Sequence, residues 1–278
     1  MMLKQRVITA LVLLAILLPA LFYPTPTPFI FLALIFMSAA AWEWARLNGV
    51  ASANAVAHAL VFAAVCAGTW YAGWTHTNLP WLWAAAGALW VLASGWLVRA
   101  GVVGWPRIAQ PVRLLGGLVG LWLAWLAVSQ ARVIGIGFLL SLLLLVWVAD
   151  IFAYFAGRGL GGQFVKNKLA PTISPGKTWE GVWGGLIGVV LLALIWLHFF
   201  SGDTFFSRMA TRHGALLMVL AVVFLAAMSV VGDLVESLIK RSAGAKDSSN
   251  LLPGHGGVLD RIDALLPTLP LALMLLSI

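Results

Sequence analysis

Charged residues are scarce in this chain. Lys, Arg, Asp and Glu together make up 9% of its 278 residues, whereas hydrophobic residues make up 62% and the mean hydropathy is +1.01. A water-soluble domain carries about a quarter charged residues, because its surface must face water. So little charge excludes a water-soluble globular protein and indicates a chain whose solvent is mostly lipid.

Cysteine is almost absent as well. The single Cys66 excludes an intramolecular disulfide, and its apolar surroundings predict a buried side chain. In a soluble protein the net charge of +8 would suggest a nucleic-acid partner. In a membrane protein the same excess of Lys and Arg indicates loops that face an anionic leaflet, so we expect no nucleic-acid partner.

Long apolar runs fill most of the sequence. A run of about 17–25 apolar residues can cross a bilayer as a helix. The first run follows Lys4 and Arg6 as in a signal peptide, but it is long and lacks a clear cleavage site, so we interpret it as a transmembrane helix. Nine spans are predicted, at about 7–23, 28–45, 53–73, 80–98, 114–130, 133–149, 181–199, 214–232 and 264–278. The sequence therefore predicts an all-α, polytopic membrane bundle.

Two of these spans have notable ends. The fifth and sixth are separated only around 130–132, which predicts a tight turn, and the ninth is short and contains Pro267 and Pro270. Residues 1–149 are predicted to form an N-terminal helical platform, and residues 150–278 a C-terminal catalytic region of the same membrane domain.

The distribution of basic residues predicts the orientation. If the N-terminus lies inside and nine spans alternate, 14 of the 17 Lys and Arg residues fall inside, and only Arg132, Arg208 and Arg212 fall outside. Cytoplasmic loops are the ones enriched in Lys and Arg. The sequence thus predicts an N-in, C-out protein.

Acidic residues are the rarest charged group, and they cluster. The chain has nine, of which eight fall on or near the predicted inside face and five lie between positions 233 and 263. Topology places little demand on Asp and Glu, so this cluster indicates a function. Two polar segments, at about 150–180 and 233–263, are predicted to face the same side and to share one site.

The segment 233–241 continues the eighth span without a helix breaker. On a helix, Asp233, Glu236, Ser237 and Lys240 share one face, since they are spaced at i, i+3, i+4 and i+7. A solvated helix end with an internal salt bridge is one interpretation. The position of Asp233 at the membrane end of a span favours a functional site, because acids are costly there.

The segment 246–263 is the most informative. The glycines of its PGHGG run, Gly256 and Gly257 among them, would let backbone N–H groups approach a phosphate. A helix that begins near Val258 would present Asp260 and Asp263 on one face, and paired carboxylates suit Mg²⁺ beside substrate phosphates. His255 is interpreted as a structural or substrate-binding residue, with direct proton transfer as the alternative.

The segment 150–181 adds a third group. Asp150 is predicted to end the sixth span, and four glycines at 157–162 predict a flexible turn. Ser174 as N-cap and Pro175 at the first helical position predict a helix start, where Lys177 would mark an anion site. Near the end of the second span, Trp42-Glu43-Trp44 is interpreted as an interfacial anchor with a paired acid.

These segments resemble the phosphatidate cytidylyltransferase (CDP-diglyceride synthase) family. The matching residues span roughly 150–263, and the N-terminal half matches only as a hydrophobic bundle. The residues that match the family are Asp150, Ala153-Tyr154, Gly157-Arg158, the run Ser174 to Gly181, the run Ser237 to Arg241, Lys246-Asp247 and the run Leu252 to Asp263. Ile151-Phe152 departs from the smaller residues expected there, which affects only local packing.

The resemblance implies that CTP and phosphatidate are converted to CDP-diacylglycerol and pyrophosphate in phospholipid biosynthesis. It also implies a multi-pass protein of a bacterial inner membrane with a cytoplasmic active site. Such a reaction needs metal and basic groups to relieve the crowding of negative charge. We expect Mg²⁺, with a second metal ion left open, held by Asp233, Asp260, Asp263 and Asp150.

The remaining assignments concern catalysis and substrate binding. The candidate catalytic residues are Asp233, Lys240, Arg241, Lys246, Asp247, His255 and Arg261. The candidate substrate-binding residues are Ser174, Lys177, Lys240, Arg241, Lys246, Gly256, Gly257 and Arg261. The sequence does not determine the oligomeric state, and a homodimer is one possibility that it leaves open.

Three alternatives stay open on sequence alone. One is another membrane phosphotransferase or nucleotidyltransferase, although the DGxxAR…GxxxDxxxD pattern of CDP-alcohol phosphatidyltransferases is absent. A transporter is the second, but it predicts charges spread over several spans or an internal repeat. The third is an inactive relative with a structural role, against which the intact acids and bases argue.

Overall fold

The computed structural model describes residues 2–200 and 202–277, with backbone only for residues 2–4, and it is a bundle of helices. The described residues form no strand beyond two isolated bridges, Ala170 with Ser174 and Leu252 with Gly256. The helices are α1 (Met2–Phe22), α2 (Thr27–Leu47), α3 (Ser52–Tyr71), α4 (Pro80–Gly104), α5 (Gln110–Ile134), α6 (Ile136–Leu160), α7 (Trp179–Phe199), α8 (Phe205–Ser242), α9 (Leu259–Ile262) and α10 (Leu265–Ser277). Helices α1 to α8 are each long and apolar enough to cross a membrane, which confirms the predicted polytopic all-α class.

Consecutive long helices run in alternating directions. At one end of the bundle, the site end, α1 begins and α2 ends: Arg6 Nε donates to the Gly254 carbonyl (3.0 Å) and Gln110 Nε2, at the start of α5, donates to the Asn48 carbonyl (2.8 Å). At the opposite end, Arg132 Nε near the end of α5 donates to the carbonyl of Leu21 in α1 (2.9 Å). The two ends therefore match the alternation that the apolar runs predict.

The last helix is shorter than a membrane span. With 13 residues, α10 is about 20 Å long at 1.5 Å per residue, against about 30 Å of hydrocarbon. It is nonetheless a core element, because Leu269, Leu271 and Ala272 are buried and it packs against α4, α5 and α8. The ninth predicted span thus exists as a short buried helix over Leu265–Ser277.

This helix starts well inside the bundle. A Cβ atom on Gly232 would lie 2.5 Å from the Asp263 carbonyl oxygen, so only a glycine allows the turn before α10 to rest against α8. Gly232 lies about ten residues, or about 15 Å, before α8 ends at Ser242. The polar segment 246–263 therefore descends from the site end into the bundle and carries Asp263 with it.

The predicted turn between the fifth and sixth spans was misplaced. The helices are broken at Gly135, and Gln130 and Arg132 lie buried inside α5. Their polar groups are satisfied there: Gln130 Nε2 donates to the carbonyls of Trp74 (2.7 Å) and Thr77 (2.9 Å), and Arg132 reaches the end of α1. Because these hydrogen bonds replace water, the two residues need not end the helix.

Of the four glycines at 157–162, only Gly161 and Gly162 lie in the turn that was predicted. Gly157 and Gly159 lie within α6, which continues through Asp150 to Leu160, and only Gly162 in this group has a positive φ, of 82°. A Cβ on Gly185 in α7 would lie 2.9 Å from the Ala149 carbonyl oxygen. Small residues thus let α6 and α7 pack closely, as is common between membrane helices, and this contact brings Asp150 beside the start of α7.

Candidate active site

Charged side chains from three separate segments meet at the site end. Lys177, just before α7, forms an ion pair with Asp233 of α8 (Nζ to Oδ2, 2.6 Å). The charges of Lys177 and Asp233 also act on Asp150 of α6. The prediction that the polar segments 150–180 and 233–263 share one site is in line with this geometry.

The polar face of α8 continues the site. Ser237 Oγ donates to Asp233 Oδ1 (3.1 Å), and Lys240 Nζ lies 2.5 Å from Glu236 Oε2, as the helical spacing predicts. Lys240 also contacts Asp260 Oδ1 at 2.5 Å. The side chains of Lys240 and Glu236 are only 12% and 3% exposed, so this is a buried charge network and not a solvated helix end.

Asp260 is held by protein donors on both oxygens. Besides Lys240 on Oδ1, its Oδ2 accepts hydrogen bonds from the Ser248 backbone N–H (2.9 Å), the Ser248 hydroxyl (2.8 Å) and the Gly257 N–H (2.8 Å). Burial opposes its ionisation, yet the hydrogen bonds from Lys240, Gly257 and Ser248 lower the pKa of Asp260 to about 2. The carboxylate therefore stays ionised and organises the loop around it.

Asp263 has a contrasting environment. It follows α9 and is partly buried against α8, and burial together with the charge of Asp233 raises the pKa of its carboxyl well above its usual range. The two aspartates of the Asp260-Asp263 pair thus differ in role: one has its acceptor sites filled by the protein, and the other is crowded by a second carboxylate. Nearby cations, Lys177 and Lys240, only partly relieve that crowding.

Glu43 is a site residue that the sequence interpretation missed. It is 0% exposed at the end of α2, and its carboxylate accepts hydrogen bonds from the hydroxyls of Ser248 (3.3 Å) and Ser249 (2.5 Å) and from the N–H groups of Val258 (2.9 Å) and Leu259 (2.7 Å). The interfacial-anchor interpretation of this residue was wrong. Its partners lie 205–216 positions away in the chain, and the only signal was an acid at the end of an apolar span.

Glu43 therefore fixes the polar segment from two sides. The hydroxyls belong to the irregular stretch before the PGHGG turn. The two N–H groups are at the start of α9, where helix donors have no partner within the helix. From α1, Thr9 Oγ1 adds a hydrogen bond to the Pro253 carbonyl (2.9 Å). The N-terminal half thus holds the loop that the C-terminal half contributes.

Helix α7 begins later in the chain than predicted. Its N-cap is Thr178, whose Oγ1 accepts from the Gly181 N–H (3.1 Å), whereas Ser174 closes a turn by donating its N–H to the Ala170 carbonyl (2.8 Å). Pro175 and Gly176 fill the turn between them and are not helical. Lys177 therefore precedes α7, in the loop from which its side chain reaches Asp233 of α8.

The other predicted residues lie at the edge of the site. Arg241, Lys246, Asp247 and Arg261 are exposed, and His255 and Gly256 are partly exposed. The N–H of Gly257, predicted to approach phosphate, donates to Asp260 instead. The structure thus brings Asp150, Lys177, Asp233, Lys240, Asp260 and Asp263 together and leaves these exposed side chains around the rim.

The described residues include no group of three or more His, Cys, Asp or Glu side chains placed to hold a metal ion by themselves. What the site offers is a partly buried mixture of carboxylates and ammonium groups at the end of a membrane bundle. Its carboxylates outnumber its ammonium groups, so an anionic substrate that arrives together with a cation would suit it: the cation could bind between carboxylates and phosphates, and the lysines could contact the phosphates.

Comparisons with known proteins agree with this picture. Residues 4–278 match the model of the cytidylyltransferase family. The chain is 40% identical to a phosphatidate cytidylyltransferase of Pseudomonas aeruginosa, with 99% of this chain and 97% of the relative covered. It is 37% identical to a phosphatidate cytidylyltransferase of Haemophilus influenzae, with 97% and 96% covered.

Proposed function

The chain belongs to the cytidylyltransferase family, and we propose that this membrane-embedded nucleotidyltransferase transfers the cytidylyl group of CTP to phosphatidate. The products are CDP-diacylglycerol and pyrophosphate. The observation that carries the substrate assignment is the partly buried cluster of Lys177, Asp233, Lys240 and Asp263 at one end of a bundle of long apolar helices. A lipid phosphate and a nucleoside triphosphate can meet only where the bundle offers charge at the depth of the lipid headgroups.

The reaction is a substitution at phosphorus. A phosphate oxygen of phosphatidate forms a bond to the α-phosphorus of CTP, and the bond from that phosphorus to the oxygen bridging to the β-phosphate breaks, which releases pyrophosphate. Positioning and electrostatic stabilisation supply most of the catalysis in such transfers. Lys177 and Lys240 are the partly buried cations that would face these phosphates, and Arg241, Lys246 and Arg261 would contact the exposed part of CTP from the rim.

The site fits Mg²⁺ as the cofactor. Mg²⁺ in nucleotide sites is usually held by one or two carboxylates and the substrate phosphates, so a complete protein cage is not required. Asp233 and Asp263, with Asp150 nearby, would hold it. Burial, and after it the charge of Asp233, raises the pKa of Asp263, and a bound cation would offset both effects. When bound, the ion would offset charge on the phosphates. Asp260 would contribute by fixing the loop, because protein donors already occupy both of its oxygens.

We also place the site end on the cytoplasmic side of a bacterial inner membrane. CTP is a cytoplasmic metabolite, and the segments predicted to be inside carry most of the Lys and Arg residues. The transporter alternative lacks support, since eight of the nine acids belong to the site-end segments and only Asp203 lies between α7 and α8.

The proposal is tested with purified protein in detergent, radiolabelled CTP and phosphatidate. We expect labelled CDP-diacylglycerol to appear only when Mg²⁺ is present, together with one equivalent of pyrophosphate. Asp203→Asn is the matched control, because this acid pairs with Arg208 outside the site and should leave the rate unchanged. Wild-type protein that forms no CDP-diacylglycerol at any Mg²⁺ concentration would refute the assignment.

A further inference from the structure

An apolar cavity adjoins the charged cluster. It has a volume of about 410 Å³, within the range of ligand pockets. Its lining is almost wholly apolar and is unusually rich in tryptophan and glycine, with Trp44, Trp90, Trp96, Trp105, Gly116 and Gly120 among its walls. No residue of the reaction scheme above accounts for this space.

The cavity exists because two neighbouring helices do not pack together. Helix α4 packs against α8 and α10, and α5 packs against α2, α6 and α10, but α4 and α5 scarcely touch each other. Glycines keep the gap between them open. A Cβ on Gly116 would meet nothing within 4 Å, and one on Gly120 would meet only the Trp90 ring, at 3.7 Å.

The cavity and the candidate active site share one wall, which is formed by α8 and by the residues around α9. Gly232 and Glu236, which flank Asp233 on α8, line the cavity, as do Leu259 and Leu266, which flank Asp260 and Asp263. A molecule that fills the cavity is therefore separated from the charged cluster by no more than one layer of side chains.

One cation lies at this boundary. Arg113 lines the cavity with its guanidinium 5.9 Å from the centre of the Trp105 ring, and its buried Nε has no hydrogen-bond partner in the part of the chain that the structure describes. A buried donor without a partner is unfavourable, because it has lost its hydrogen bond to water. An oxygen of an anionic or ester-bearing ligand would satisfy it.

We propose that this cavity binds one acyl chain of phosphatidate, that Arg113 contacts the ester or phosphate oxygens at its polar end, and that Gly116 and Gly120 determine which chains fit. The inference rests on the proposed function and adds a specificity site to it. The occupant must be a long apolar chain whose charged end reaches Asp233 and Lys177, and a diacyl phosphate has that form. The gap between α4 and α5 gives the chain a route from the surrounding lipid.

The test compares two substrates in the same enzyme. Gly120→Leu and Gly116→Leu place a leucine in the gap, and kcat/KM is measured with dioleoyl-phosphatidate and dioctanoyl-phosphatidate in mixed micelles. We expect kcat/KM for the long-chain lipid to fall by about tenfold or more. A misfit of a few methylene groups in an apolar pocket typically lowers kcat/KM by that much. The short-chain value should change by less than about threefold and so serves as the control for folding.

Gly95→Leu is the matched control variant. Gly95 lies on α4, the helix across the gap, and like Gly116 it has open space at its Cβ position. It does not line the cavity, so both substrates should keep their wild-type kcat/KM. Arg113→Gln supplies an independent arm. It should raise KM for phosphatidate by about tenfold and leave KM for CTP unchanged, because only the lipid reaches this side chain.

The outcomes separate this inference from the function itself. If wild type makes CDP-diacylglycerol but both glycine variants keep the wild-type ratio of the two substrates, the cavity holds no substrate chain and the inference fails alone. An equal loss with both lipids in both variants, or a higher KM for CTP in Arg113→Gln, also contradicts it. If wild type converts neither lipid, the proposed function fails first.

Discussion

At the scale of single residues, Glu43 has the most demanding environment. A fully buried carboxylate is tolerated only when its oxygens are satisfied, and here four donors from residues 248–259 do this. We predict that Glu43→Gln lowers the apparent Tm and reduces kcat by about tenfold or more, because the glutamine NH₂ would face N–H and O–H donors and leave some unpaired. Thermal unfolding and steady-state assays measure both effects.

The control for Glu43 is a change that keeps the charge. Glu43→Asp retains an acceptor carboxylate but shortens the side chain, so it should recover part of the stability lost in Glu43→Gln. A Glu43→Gln protein with wild-type Tm and kcat would show that the polar segment does not depend on this contact.

Asp260 and Asp263 allow a second test, because their environments have opposite effects on ionisation. Burial and the charge of Asp233 raise the pKa of Asp263, so its ionisation costs stability, and this loss grows as the pH rises above the unfolded value of about 4. We predict that Asp263→Asn, measured at pH 8 with EDTA, has a Tm equal to or above that of wild type. Its Mg²⁺-dependent activity should fall by about 100-fold or more. Replacing a residue that only supports a metal ligand already costs up to about 100-fold, and Asp263 would contact the metal itself.

Asp260→Asn should behave in the reverse order. The pKa of Asp260 is lowered to about 2, so its ionised form stabilises the fold at every pH above the unfolded value of about 4. Replacement should therefore lower the Tm as well as the rate. A lower Tm for Asp263→Asn than for Asp260→Asn would contradict the division of roles between the two carboxylates.

At the scale of secondary-structure elements, the start of α7 determines where Lys177 lies. Thr178, and not Ser174, caps this helix. We predict that Thr178→Ala destabilises the protein by about 1 kcal/mol, the usual cost of a lost N-cap, and that Ser174→Ala leaves stability unchanged. Thermal or denaturant unfolding in detergent compares the two; a larger loss for Ser174→Ala would place the cap at Ser174.

Element boundaries also show which parts of the fold the sequence could and could not reveal. Apolar runs suffice to locate eight helices, because lipid requires each crossing segment to be long and apolar. They misplace the α5–α6 turn, since the hydrogen bonds that let Gln130 and Arg132 stay helical come from distant loops. The same holds for Glu43, whose partners are more than 200 residues away.

The charged cluster was more accessible to sequence reasoning. Helical spacing alone places Asp233, Glu236 and Lys240 on one face, and the structure has them there. Spacing could not show that Lys240 joins Glu236 to Asp260, or that Asp260 is surrounded by loop donors and Asp263 is not. Those differences depend on how the segment 246–263 folds back onto α8.

At the scale of the whole molecule, the alternating helices place all three polar segments at one end. We predict that this end faces the cytoplasm. With Cys66→Ala as background, an impermeant maleimide should label Asn250→Cys only in inside-out vesicles and Asn78→Cys, in the loop between α3 and α4, only in right-side-out vesicles. Labelling of Asn250→Cys in right-side-out vesicles would reverse the orientation.

The contact between Glu43 and residues 248–259 also has a consequence for biogenesis. The second helix enters the membrane early, while the donors that neutralise its buried carboxylate are more than 200 residues downstream. At about 5–20 residues per second, synthesis of that stretch takes about 10–40 s. During that interval the nascent chain holds an acid without partners at the membrane boundary, so the protein becomes complete only when its last loop has been translated. A ribosome that stalls before residue 248 would therefore leave a membrane-inserted chain in which Glu43 lacks all four of its donors.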